Sequence, residues 1–142
     1  MKKRTKIILG ILVGVWVFAM AMTAPEMSEA LHQRKFVEQT FNTYSKALVD
    51  NKLEQAYGYC GTEFQRATPF SDFVAIQQTL QTRFGTLKAI RQTSMVVKVQ
   101  RSPHLEIASV QASLEYQRET LKILYELHFE NGRWAIFGFK QI

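Results

Sequence analysis

Cysteine is almost absent from this chain: Cys60 stands alone, so no internal disulfide can close and no CxxC metal or redox motif exists. It reads as a buried apolar side chain. Cys60 lies far from the N-terminus and no cysteine directly follows the apolar run, so no lipoprotein-type anchor is readable. Aspartate is nearly as scarce. Asp50 and Asp72 fall at a helix end and a helix start, where turn formation and compensation of the helix dipole account for them. The three histidines, His32, His104 and His128, belong to three different elements with no HxxxH or HxH pair, so no metal site is expected and each reads as a surface residue. There is no GxSxG elbow, and the seven glycines are too scattered to cradle a phosphate. No cofactor is expected.

Positive charge is plentiful only at one end. The formal charge of +6 includes Lys2, Lys3, Arg4 and Lys6; without those four, 14 basic residues face 12 acidic ones, a net of about +2. That removes the main support for a nucleic-acid partner. Behind the basic cluster, Ile7 to Met22 runs 16 residues without a charge. A signal-peptide core takes about 7 to 15 residues and a membrane span about 20. With Thr5, Lys6, Thr23 and Ala24 added, the run reaches about 20 residues, or roughly 30 Å of helix. The reading taken is a retained anchor over residues 1–24. Ala19-Met20-Ala21 matches a small-x-small cleavage pattern, so removal before Met22 and export is the alternative. Both readings leave the N-terminus in the cytoplasm and the domain extracytoplasmic, or periplasmic, because the positive charges precede the run. Gly10 and Gly14 form a GxxxG that permits close packing of membrane helices. Pro25 then suggests a linker over residues 25–29, ahead of one domain covering residues 30–142.

Within that domain the hydrophobic period changes once. Ser28 is placed to cap a helix reaching Val49, with Phe36, Val37, Phe41, Tyr44, Leu48 and Val49 on one face. A shorter helix carries Leu53, Ala56, Tyr57 and Cys60 up to Gly61. Thr68-Pro69-Phe70-Ser71-Asp72 opens a third, with Phe73, Val74, Leu80 and Phe84 inward and Gly85 closing it. After Gly85 the period becomes 2. Met95, Val97 and Val99 share a face; so do Ala108, Val110, Ala112, Leu114 and Tyr116, then Leu121, Ile123, Tyr125, Leu127 and Phe129. Asn131-Gly132, a strong type I′ turn signal, leads into a last strand bearing Trp134, Ile136, Phe137 and Phe139. Helices first and strands last predict an α+β domain, with about three helices packed on a curved antiparallel sheet of about four strands.

The long helix, then "ALVDNKLEQAYGYCGTEFQRATPFSDF", then a meander ending in "ENGRWAIFGF", resembles the nuclear-transport-factor-2-like superfamily, also called cystatin-like α+β cones. The resemblance covers roughly residues 30–142. It implies a curved sheet wrapped around helices with a cavity between them, and it implies no particular reaction, since this fold hosts isomerases, dehydratases, binding modules and scaffolds.

An enzyme of isomerase or cyclase type would need a carboxylate or histidine projecting into that cavity. Strand parity places Glu126 with Lys122 and His128, and Glu115 opposite Leu114 and Tyr116, so both should point away from the apolar face. The stronger candidates for contact with a ligand are Tyr44, Tyr57, Tyr116 and Tyr125, which could line a mostly apolar pocket with a few hydroxyls; packing in the core is their bland reading. The function expected is therefore non-enzymatic. It is a tethered binding or accessory domain, such as a small subunit of a membrane complex, that takes a protein partner or an apolar small molecule. A cavity enzyme acting on an apolar small molecule is the alternative.

Overall fold

A computed structural model describes residues 22–101 and 103–142. The basic cluster and most of the apolar run, with Gly10 and Gly14, lie outside the described residues. No helix among the described residues is long and apolar enough to cross a membrane. The order is α1 (Ala24–Val49), α2 (Leu53–Tyr57), α3 (Thr62–Ala67), α4 (Phe70–Phe84), β1 (Leu87–Arg101), β2 (His104–Tyr116), β3 (Thr120–Glu130) and β4 (Arg133–Gln141). The strands form one antiparallel sheet in the order β1-β2-β3-β4. The α+β class and the four-stranded meander agree with the sequence reading.

The first helix begins earlier than expected. Thr23 and Glu26 form a capping box: the Glu26 N–H donates to Thr23 Oγ1 at 3.3 Å, and the Thr23 N–H donates to Glu26 Oε1 at 2.8 Å. Pro25 sits in the first turn, where its missing N–H would have had no intrahelical partner. Residues 25–29, read as a linker, are therefore helix, and Ser28 lies inside α1 instead of capping it. Proline stops a helix from its interior but helps to start one.

The second difference is that α2 ends at Tyr57, short of the helix expected up to Gly61, and that α3, which the sequence did not lead one to expect, follows it. Tyr59, Cys60 and Gly61 are drawn out of helix onto the edge of β4: Gly61 N–H donates to Ile136 O at 2.7 Å and Ile136 N–H to Tyr59 O at 2.9 Å. Glu130 secures the next turn by accepting from Thr62 N–H at 2.9 Å and Thr62 Oγ1 at 3.1 Å, in space left by the absent Gly61 side chain. The opposite edge is also engaged. On β1, Val99 N–H donates to Met22 Sδ at 3.4 Å and Arg101 N–H to Glu26 Oε2 at 3.0 Å.

One face of the sheet carries the core. Met95, Val97, Val99, Ala108, Val110, Ala112, Leu114, Tyr116, Leu121, Ile123, Tyr125 and Leu127 are all buried there, with Val37, Phe41, Tyr44 and Leu48 of α1. Burying a side chain of Leu, Val or Phe size contributes about 1.5–3 kcal/mol, so this face is what holds the helices on. A bulge disturbs the last pairing: Glu126 opposes Gly138 and Leu127 opposes Ile136, which leaves Phe137 unpaired. Phe137 stacks on His128 with ring centroids 3.8 Å apart and planes within 2°.

Candidate functional site

Three of the four tyrosines singled out by the sequence meet in the core. Tyr44 and Tyr125 pack edge to face, 5.8 Å between centroids, and both rings touch Phe41. Tyr116 and Cys60 are buried in the same cluster. Burial, with smaller effects of Tyr125, Cys60 and Tyr116, pushes the Tyr44 hydroxyl well above the usual phenol range. Burial likewise raises Tyr116, and it raises Tyr125 together with the neighbouring Tyr116 and Cys60. These hydroxyls stay protonated at any ordinary pH. The Cys60 thiol is pushed up by burial, only partly offset by Arg133, so it too stays protonated and unreactive. Tyr116 Oη has no hydrogen-bond partner among the described residues.

Tyr57 is elsewhere and has a different task. Its hydroxyl donates to Thr68 O at 2.7 Å and also approaches Gln65 O at 3.3 Å, while its ring sits among Phe64, Phe70 and Phe73. It joins α2 to the end of α3 and the start of α4. The structure thus brings Tyr44, Tyr116 and Tyr125 together as core and makes Tyr57 a strut.

The carboxylates give one agreement and one correction. Glu115 points outward and pairs with Arg91 at 2.6 Å, as parity requires. Glu126 also lies on the face away from the tyrosines, opposite Ser109 and Gly138, yet it is only 1% exposed. Its Oε2 is 2.6 Å from His128 Nε2, while its Oε1 has no partner. His128, expected at the surface, keeps only 20% of its side chain exposed. Parity told the face correctly but not the burial, because the bulge that turns Phe137 over His128 cannot be read from alternation. His104 is exposed and pairs with Glu106 at 2.8 Å, and His32 is exposed beside Phe36. Among the described residues, no group of three or more histidine, cysteine or acidic side chains converges to hold a metal.

A concave site does form where α1 passes the β3–β4 hairpin. This half-open groove has a volume of about 340 Å³ and is walled by Phe36, Phe129 and Trp134, with Gln33, Gln39, Thr40 and Arg133 around it and Gly132 at the turn. Asn131 and Gly132 both have positive φ, 52° and 80°, as a tight type I′ turn demands; the turn brings Arg133 and Trp134 back beside α1. The Trp134 indole N–H donates to Gln33 Oε1 at 2.9 Å, fixing strand to helix. Arg133 is held by a bond from Nη1 to Gly58 O at 3.0 Å, and Lys35 Nζ lies 5.3 Å from the Phe36 ring centroid. No acidic side chain lines the groove.

Sequence reasoning misassigned two of these walls. Phe36 and Phe129 were grouped with core faces, but they are 39% and 37% exposed. A signal existed for Phe36: adjacent helix positions diverge by about 100°, so Phe36 and Val37 cannot both face the core centre. Chemically, the groove offers aromatic surface beside fixed amide, hydroxyl and guanidinium groups, which suits a ligand with an apolar body and an anionic or polar end. No protein-family model matches this chain, and no curated protein matches it.

Proposed function

We propose that this chain is a membrane-tethered, extracytoplasmic binding domain of the nuclear-transport-factor-2-like type, with the N-terminus cytoplasmic, which engages a protein partner or an apolar ligand and performs no chemistry of its own. The observation that carries the reading is the aromatic groove between α1 and the hairpin, a concave site with aromatic walls and Arg133 among its lining residues. The tyrosine hydroxyls lend the enzyme alternative little support: the buried carboxylate, Glu126, belongs to His128 on the other sheet face, out of line with Tyr44, Tyr116 and Tyr125. The basic cluster and uncharged run at the N-terminus support the tether and its direction.

The test is a native mass spectrum of the protein gently extracted from its own membrane. A full-length chain carrying added subunits or a small adduct is the expected result. A chain starting at Met22 with nothing bound would remove the tether and the binding role together.

A further inference from the structure

The groove has a position as well as a chemistry. Both tight turns of the meander lie at one end of the sheet, since Arg101 pairs with His104 and Glu130 with Arg133. The chain enters the domain at that same end. Met22 is bonded to Val99, Val99 pairs with Glu106 one position beyond the Ile107–His128 pair, and Phe129 pairs with Trp134 on the same side of that pair. Three strand spacings separate β1 from β4, so the groove lies about 14 Å across the sheet from the entry point. No slack intervenes, because Thr23 already caps α1 directly after Met22.

We infer that the groove takes a phospholipid of the membrane in which the chain is anchored, with Phe36, Phe129 and Trp134 against the glycerol and first acyl carbons and Arg133 at the phosphate. The inference rests on the tethered reading and deepens it by naming the ligand class. If the uncharged run ending at Met22 spans the bilayer, the end of the domain bearing the groove is held at the headgroups without a linker. Aromatic side chains favour such an interface, where one end of the ring is apolar and the surroundings are wet. No acidic side chain is in the lining itself, although Glu29 accepts from the lining residue Gln33 at 2.8 Å.

The test uses the full chain in vesicles of phosphatidylcholine with phosphatidylglycerol. In Phe129→Cys, an environment-sensitive fluorophore is attached in the groove, while buried Cys60 stays unlabelled. Glu119→Cys, exposed in the turn at the opposite end of the sheet, is the control. The fluorophore at 129 should be blue-shifted and several-fold less quenched by iodide than the one at 119, and Arg133→Gln should shrink that difference. Equal quenching at both sites, on protein that floats with the vesicles, overturns the lipid proposal and leaves the tether standing. Protein that does not float overturns both. A second measurement leaves the groove unaltered: in Trp16→Phe, Trp134 is the only tryptophan, and lipid brominated near the acyl carbonyls should quench it. Absence of that quenching also overturns the proposal.

Discussion

Replacing tyrosine by phenylalanine removes one oxygen, and in this fold the same change should act with opposite sign at two positions. Tyr116 Oη is buried without a partner, so the folded state has lost the hydroxyl's bonds to water and gained none. Desolvating an unsatisfied polar group costs about 1–3 kcal/mol, so Tyr116→Phe should raise stability by about 1 kcal/mol once partial relaxation is allowed for. Tyr57 Oη instead donates to Thr68 O at 2.7 Å. Tyr57→Phe gives up that bond and strands a half-buried carbonyl, a loss of about 1–2 kcal/mol. For a domain of this size 1 kcal/mol moves Tm by about 3–5 °C, so the two variants should melt on either side of the parent and be separated by roughly 6–15 °C. Chemical denaturation with an unchanged m-value would confirm that the native state is what changed. If Tyr116→Phe proves as destabilising as Tyr57→Phe, the hydroxyl at 116 has a partner and the account of the core given above is wrong.

Alkaline conditions should unfold the domain instead of titrating it. Tyr44, Tyr116 and Tyr125 have folded pKa values raised by burial, so their contribution is complete below the ordinary phenol value of about 10 and is lost as the pH rises toward the folded values. Tyrosinate absorbance near 295 nm should therefore appear together with loss of near-ultraviolet circular dichroism; a smooth titration with the fold intact would contradict the burial. His128→Ala should cost about 2–3 kcal/mol in a denaturant titration, because it leaves the Glu126 carboxylate buried and unpaired, and a change under 0.5 kcal/mol would mean that the pair is solvated. Gly132→Ala should destabilise by about 1–2 kcal/mol, since φ is 80° there and the penalty is conformational, not steric crowding. Asn substituted at the same position should cost less, and equal losses for both residues would argue against a backbone cause.

The strands were legible because a period of 2 is local: Ala108, Val110, Ala112, Leu114 and Tyr116 carry their own face assignment along the chain, and all are buried. The NG turn and the positive φ of Gly85, which ends α4, were legible for the same reason. What escaped is set by distant partners. The break between α2 and α3 exists because Ile136, some 75 residues later, pairs with Tyr59 and Gly61. Burial of Glu126 depends on a bulge in the neighbouring strand. The groove depends on two elements meeting, α1 and the hairpin, so its walls looked like core residues when each element was considered alone. The start of α1 was different: the Thr23–Glu26 box was visible in the sequence, and weight given to Pro25 as a breaker hid it.

The occupied margins of the sheet restrict how the molecule can associate. An open margin is a template on which another strand can add, the route by which β-rich proteins aggregate or swap strands. Here Met22 and Glu26 hold the amides of Val99 and Arg101 on β1, and Tyr59 to Gly61 cover Ile136 on β4. Tension on the chain from its N-terminal side would load those two β1 amides first, pulling the first turn of α1 and the packing of Met22 on the core together. A pull strong enough to free that turn would expose a bare strand margin at the end of the domain where the chain enters, converting a mechanical event into a site for strand addition.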